Sequence, residues 1–371
     1  MKNPSTLHFA VHTHGIDDID YSDMEPSDLE RIAVKAAERG LQVCPTVFLR
    51  QEYFSQFEAI LDRFSMLKCS SEEDPFSSIL GFGMEGPLLG THGGVPDEGC
   101  WVPSVSQWRR IARLGEKGLR YLVIGCDEVE LDEEVAEGMT FRGLVDLFYA
   151  HGVRLALGHF QHDDPLRSSR LIQELVDHVW QMDGCDQGWV LTDHLFNDMP
   201  RNFVHAWRTD AERLRRSNEI RPILDAVWSE ETLAELLGPG PAALIRFAKQ
   251  GKSTLPMDFD GGHPDSTVAK LTLDYVGHGG IIGMTDDIQT VTMAGQPVYG
   301  RDDNRLQYRS DGRVAACRST VADCISTMSM HGFDAAQIQD VFSTTPSRVF
   351  GAIHALTARG LVQPTASTAR V

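Results

Sequence analysis

The chain contains no C-x-x-C pair, and its seven cysteines (Cys44, Cys69, Cys100, Cys126, Cys185, Cys317 and Cys324) are an odd, scattered set. A disulfide framework or a thiolate zinc site needs closer pairing, so these read as mostly buried, reduced thiols of a cytoplasmic protein. Basic residues are also scarce: 34 Lys and Arg stand against 53 Asp and Glu, for a net charge of −19. That balance argues against a nucleic-acid or anionic-membrane surface, which needs clustered cations. No window approaches the roughly 18 uninterrupted apolar residues of a membrane span. The N-terminus carries no basic-then-apolar signal segment. No G-x-G-x-x-G follows the first apolar run, which weakens a dinucleotide-binding reading, and no low-complexity tract or short repeat is present.

What the chain does have is a regular alternation. The apolar runs "LHFAVH", "LQVCPTVFL", "SILGFGME", "LRYLVIG", "VRLALGH", "GWVLTDH", "STLPMDF" and "GIIGMTDD" read as eight buried strands. Between them lie helical patterns such as "SVSQWRRIARLGEKG", "TFRGLVDLFYAHG", "SSRLIQELVDHVWQM" and "PAALIRFAKQG". Ser27 and Glu30 have the spacing of a capping box, and Gly40 marks the stop of that helix. Pro45 sits awkwardly inside the second strand. Strand–helix alternation implies a parallel sheet, either a closed (β/α)8 barrel or an open doubly wound sheet. Eight strands over roughly 280 residues suit the barrel. We expect residues 1–355 to form it, 356–371 to be a C-terminal tail, and 291–317, rich in glycine, to be a long loop.

The strand ends carry the chemistry. His12 and His14 close the first, Glu85 the third, His159 the fifth, His194 the sixth and Asp286 the eighth. In a barrel these ends converge on one mouth. A strand places residues i and i+2 on one face, so His12 and His14 are expected to point together. Each residue alone has a plain alternative: a histidine satisfied by a neighbour, a surface glutamate, an aspartate capping a helix. Together, nitrogen and carboxylate donors suit Zn²⁺ first, with Fe²⁺ or Mn²⁺ as alternatives. Six donors exceed the need of one ion, so one or two ions per chain fit, with Glu85 as the bridge of a pair about 3.5–4 Å apart.

The segments His12-Thr13-His14-Gly15, Glu85-Gly86-Pro87, Gly158-His159, His194-Leu195-Phe196-Asn197-Asp198-Met199 and Thr285-Asp286 occur in an order that resembles the metal-dependent amidohydrolases. The resemblance is strongest to N-acetylglucosamine-6-phosphate deacetylases, through H-L-F-N-x-M, "DGGH" at 260–263 and "STTPSRVFG" near the end. It spans about residues 8 to 351.

The resemblance implies an amidohydrolase-type (β/α)8 TIM barrel whose flanking β-sandwich is largely absent here. It implies a hydrolase acting on carbon–nitrogen bonds other than peptide bonds, on a small-molecule substrate, in a protein that pairs as a homodimer. His12 and His14 would bind a first metal, His159 and His194 a second, and Glu85 would take the place filled elsewhere by a carboxylated lysine. Asp286 would be the general acid/base and also a ligand, with Asp287 as the competing choice. Asn197, Asp198, His263 and His92 would meet the substrate, while His92 and His263 retain a second reading as loop histidines and His162 reads as an exposed one. The sequence also departs from the pattern. The histidine-arginine-glutamate-proline phosphate segment is replaced by "MPRNFVHAWRTDAERL", where Arg201 and Arg208 are the available cations, and "G-H-S" becomes "G-H-F". Deacetylation of an N-acyl amino sugar or related N-acyl compound is therefore the expectation. Hydrolysis of a cyclic amide, an ester or a phosphoester, and a non-catalytic metal-bound binding protein, stay open.

Overall fold

Parallel strands that are buried on both faces must be joined by crossovers, and this chain supplies a helix for most of them. The computed structural model describes residues 7–69, 76–197, 199, 214, 218 and 220–351. Asp198, Arg201, Arg208 and the expected tail lie outside the described residues. The barrel strands are β1 (His8–Thr13), β2 (Leu41–Phe48), β3 (Phe82–Glu85), β4 (Leu119–Ile124), β5 (Arg154–Leu157), β6 (Val190–Thr192), β7 (Leu255–Asp258) and β8 (Ile281–Met284). They form one parallel sheet in the order β6-β5-β4-β3-β2-β1-β8-β7. The gap between β6 and β7 is closed by a parallel bridge between Leu191 and Thr254, with Thr254 N–H donating to Val190 O at 3.0 Å and Thr192 N–H to Thr254 O at 3.1 Å. The result is a (β/α)8 barrel.

The principal helices are α1 (Asp28–Glu38), α2 (Phe54–Cys69), α3 (Val105–Arg113), α4 (Phe141–Ala150), α5 (Pro165–Trp180), α6 (Pro239–Lys249), α7 (Ser266–Val276) and α8 (Val321–Met330). Their starts follow local chemistry: Ser104 and Gln107 form a reciprocal capping box on α3, and Thr140 accepts from Gly143 N–H on α4. The box expected at Ser27 and Glu30 is not formed. Ser27 is already helical, with φ −73° and ψ −14°, so its hydroxyl cannot reach back to the free N–H groups. Asp28 instead accepts from Glu25 N–H at 2.9 Å, and Glu30 pairs with Arg63. Gly40 takes the left-handed conformation, φ 65°, that ends α1.

The expected long loop at 291–317 is largely sheet. Thr292–Met293 pairs with Gln296–Pro297, and Tyr299–Arg301, Asn304–Tyr308 and Val314–Cys317 form a three-stranded antiparallel sheet. Its glycines sit in or beside turns between short strands, which is why they read as loop. Leu306, Tyr308 and Cys317 form a small apolar cluster on it, and Cys317 N–H donates to Asp286 O at 2.7 Å, tying the insert to the barrel mouth. The smaller sheets among the described residues have two or three strands. No helix among the described residues is long and apolar enough to cross a membrane.

Two apolar layers follow the period-2 alternation of the strands. Phe9, Val11, Cys44, Tyr121, Val123, Ala156, Leu191 and Ile282 pack inside the barrel. Ala10, Val43, Val47, Phe82, Met84, Leu122, Ile124, Leu155, Leu157 and Val190 face outward onto the helices. Phe82 is fully buried there, its ring 6.2 Å from Phe57 and 5.3 Å from Phe64 of α2. Phe82→Ala is expected to remove about 3–5 kcal/mol of stability, through lost transfer energy and the cavity left behind. Urea unfolding checks this; a loss below about 1 kcal/mol would mean that this layer can collapse around the gap.

Candidate active site

The interior alternation continues to the strand tips and then breaks where the histidines lie. Phe9 and Val11 face inward, so regular alternation would send His12 and His14 outward with Ala10. It does not, because His12 adopts φ 56° and the β1–β2 register slips by one residue between Val11 and Thr13, the latter pairing with Pro45. The bulge brings both imidazoles inward. The shared face expected of an i, i+2 pair is therefore reached through an irregular strand, not a regular one. His159 and Asp286 also take left-handed backbone, φ 50° and 42°, as does Phe196 at 72°. Non-glycine residues in this region cost about 1–3 kcal/mol each and persist only where surroundings hold them. Here the holds are visible: Asp286 N–H donates to His12 O at 2.9 Å, His14 N–H to Asp287 O at 2.9 Å, and Gly90 and Thr91 N–H to His159 O at 2.7 and 3.0 Å.

The inward side chains fall into two sets that share Glu85. Its Oε1 lies 2.7 Å from His159 Nε2 and 3.6 Å from His194 Nε2. Asp193 Oδ2 completes this set, 3.3 Å from His159 Nε2 and 3.1 Å from His194 Nε2. Glu85 Oε2 faces the other set, 3.2 Å from His12 Nε2 and 3.5 Å from His14 Nε2, with Asp286 Oδ1 at 3.1 Å from His14 Nε2. Neighbouring donors on a four-coordinate ion with bonds of about 2.0–2.1 Å lie about 3.3 Å apart, the spacing found in both sets.

The hydrogen-bond inventory points the same way. His14 Nδ1 faces Thr46 O at 3.2 Å and His159 Nδ1 faces Thr91 O at 3.0 Å. A carbonyl only accepts, so each Nδ1 carries a proton; His14 Nε2 is then available to a cation, while His159 Nε2 meets Glu85 Oε1 at 2.7 Å. His12 Nε2, His14 Nε2, Glu85 Oε2 and both Asp193 oxygens are buried without an aligned hydrogen bond. Such atoms are costly unless a partner completes them, and a divalent cation among them is a partner of the right charge. These residues fit a metal.

Electrostatics show what balances the carboxylates without one. Burial would lower the His12 pKa, but Asp193 and Glu85 outweigh it and raise it to about 9. Burial likewise opposes, and Asp193 and Glu85 drive, an upward shift at His194. Glu85 is held well below the ordinary carboxylate range, burial being overcome by His12, His159 and His194. Asp286 is also held low, by His14 and His263 against the effect of burial. Metal-free, the centre thus stores protons on imidazole that an ion must displace.

His12, His14, Glu85, His159, His194 and Asp286 are brought together in this arrangement. Asp286 is the inward aspartate; Asp287 turns away to Thr285 Oγ1 at 2.6 Å and Gln289 Nε2 at 3.2 Å. His263 is not a solvent histidine: it is fully buried, with Nδ1 3.1 Å from Asp260 Oδ2 and Nε2 3.3 Å from Asp286 Oδ2. Asn197 is half-buried in the turn after His194, its N–H donating to His194 O at 2.9 Å. His92, next to the Thr91 that contacts His159, is 43% exposed with its Nδ1 3.1 Å from Asp97 Oδ1. His162 is exposed.

Sequence reading missed Asp193, Asp258 and Asp260. Counting alternate residues from inward Leu191 would have found Asp193, and from Leu255 and Met257 outward, Asp258. Asp258 is buried with both oxygens unpaired, and burial raises its pKa to about 7 despite His263. Gly158 makes room for Asp193: a Cβ there would stand 2.4 Å from the Asp193 Cβ. Cys317 also reaches the edge of the cluster, within 4.8 Å of donor atoms of Asp260 and His263, although its thiol donates to Thr285 O at 3.1 Å and burial pushes its pKa well up.

No protein-family profile and no curated protein matches the sequence. Solved structures do resemble the fold. The N-acetylglucosamine-6-phosphate deacetylase of Pasteurella multocida is 15% identical, with TM-score 0.65, 94% of this chain and 77% of that chain being covered. The enzyme of the same name from Mycobacterium smegmatis is 17% identical, with TM-score 0.63 over 93% and 78%. That from Thermotoga maritima is 16% identical, with TM-score 0.63 over 94% and 79%. The likeness supports the (β/α)8 barrel fold.

A divalent cation should stabilise this protein against heat, by about 4 kcal/mol at a thousandfold excess over its dissociation constant. The gain should grow as pH rises toward 9, because fewer protons then have to leave His12. Thermal unfolding with zinc or manganese against chelator, across pH, measures it; equal midpoints with and without ion at every pH would contradict a metal centre.

Proposed function

We propose that the chain is a metal-dependent hydrolase that cleaves an amide bond, deacetylating an N-acyl amino sugar or a related N-acyl compound, with Asp286 as general acid/base. The observation that carries this reading is the pair of donor sets around Glu85: buried imidazoles and carboxylates at ion-ligand spacing, with His12 Nε2, His14 Nε2, Glu85 Oε2 and both Asp193 oxygens lacking an aligned hydrogen bond, at the mouth where barrels place their chemistry. The likeness to deacetylase structures supports the choice of bond and substrate class. Nitrogen and oxygen donors favour Zn²⁺, with Fe²⁺ or Mn²⁺ as alternatives, one or two ions per chain.

A bound divalent cation would supply two things there: a water of pKa about 7 and polarisation of the scissile carbonyl. The protein's own residues supply the rest. Asp286 is ionised at neutral pH, because His14 and His263 hold its pKa low, and so it is ready to accept a proton. Once protonated it is a strong acid, and handing that proton to a departing amine nitrogen runs downhill. His263 Nε2, 3.3 Å from Asp286 Oδ2, fixes the carboxylate's orientation and offers a donor to a substrate carbonyl or hydroxyl. Asp260 in turn holds His263 through Nδ1. The dry walls made by Phe48, stacked on His14 at 4.5 Å between centroids, and Tyr121 beside His12 at 6.3 Å keep the donors in a low-dielectric setting.

Metal analysis of the purified protein together with a panel of N-acyl amino sugars, N-acyl amino acids, cyclic amides and esters tests the reading. Asp286→Asn should lower kcat on the best substrate roughly 10²- to 10⁴-fold. A metal-free protein that hydrolyses none of the panel would instead favour a binding role, and an Asp286→Asn variant at full rate would remove Asp286 from the chemistry.

A further inference from the structure

Asp193 stands where a ligand would stand, and it is a carboxylate that neither the motif reading nor the structural likeness assigns. It rests at the end of β6, 1% exposed, its N–H donating to Leu157 O at 2.9 Å. Oδ2 is 3.1 Å from His194 Nε2 and 3.3 Å from His159 Nε2. Oδ1 is 3.2 Å from His12 Nδ1, the ring nitrogen that does not face Glu85. Neither oxygen has an aligned hydrogen bond. The neighbouring strand accommodates it with Gly158, where any β-carbon would overlap the Asp193 side chain.

Resting on the metal-hydrolase reading above, we propose that Asp193 is a fourth protein ligand beside Glu85, His159 and His194, so that this half of the centre is closed, and that the open half lies at His12, His14 and Glu85 Oε2, where Asp286 serves as the general acid/base and not as a ligand. Closed four-donor sets hold structural ions, whereas reactive sites keep three protein donors and an open position. Glu85 Oε1, His159, His194 and Asp193 Oδ2 make a four-donor set. His12, His14 and Glu85 Oε2 make a three-donor set, with Asp286 Oδ1 beside it at 3.1 Å from His14 Nε2. Asp193 Oδ1 also lies 3.2 Å from His12 Nδ1, on the side of the ring opposite the Nε2 that faces Glu85 Oε2. One carboxylate therefore fills the closed half and orients a ligand of the open half, so the closed half fills first and prepares the other.

Titrating the metal-free full chain with cobalt(II) reads this directly, since four-coordinate cobalt absorbs visible light strongly and six-coordinate cobalt weakly. In the wild type the first equivalent should give the strong absorption, and added azide should leave it unchanged. The second equivalent should give a weaker band that azide shifts. Asp193→Ala should weaken the first binding step by about 10- to 100-fold or more and make its band azide-sensitive. Asp193→Asn, of equal volume, should show the affinity loss with an unchanged unfolding midpoint in chelator, which separates ligation from folding. His12→Asn should keep the first step and lose the second. If both Asp193 variants bind both ions with wild-type affinity and spectra, Asp193 is no ligand, and the hydrolase reading stands without it. If the wild type takes up no cobalt, both fall.

Discussion

A carboxylate buried in a dry barrel is costly unless something cationic meets it, and Glu85 is placed so that each oxygen needs its own partner. Oε1 looks toward His159 and His194, Oε2 toward His12 and His14. Asp193, Asp258 and Asp286 crowd the same volume, all nearly inaccessible to solvent. Protonated imidazoles balance part of this charge, which is why burial fails to keep His12 neutral. The rest of the architecture can be read as the means of holding these groups together: bulged β1, left-handed His159 and Asp286, Gly158 beside Asp193, and the insert strand whose Cys317 N–H pins the carbonyl of Asp286.

The same arrangement explains where local regularity is sacrificed. The lower part of each strand obeys simple alternation, Phe9 and Val11 inside against Ala10 outside, Tyr121 and Val123 inside against Leu122 outside. Backbone of unfavourable φ appears at the tips, at His12, His159 and Asp286. Strain concentrates where side-chain direction matters more than local comfort, and the parallel ladder beneath supplies the rigidity that holds it.

Much of this was legible in the sequence. The eight strands and helices α1 and α3–α7 stand out because hydrophobic period and helix stop signals agree, as at α1, where Gly40 closes the helix. The donors at the ends of β1, β3, β5, β6 and β8 could be named because they terminate apolar runs. Other features depend on tertiary choices. Ser27 and Glu30 have capping-box spacing, but Asp28 competes for the position and wins. The glycines of 291–317 look like loop because each strand there is only two to five residues long. Asp193 is masked in the sequence by the adjacent His194; His92 follows Thr91, whose backbone packs on His159, but its own ring is partly exposed and turned to Asp97, a direction that sequence order does not set. His263 could not be placed because its burial depends on Asp260 and Asp286 converging from different loops.

The claim on which all of this depends is that divalent cations belong on the two sides of one glutamate. Anomalous diffraction from crystals of the purified full chain, recorded on both sides of the zinc, iron and manganese absorption edges, tests it directly. The account predicts anomalous peaks flanking the Glu85 carboxylate, one within reach of His159, His194 and Asp193 and the other within reach of His12 and His14. Crystals grown with added metal that show no anomalous peak among these residues, or show peaks only at the molecular surface, would contradict it.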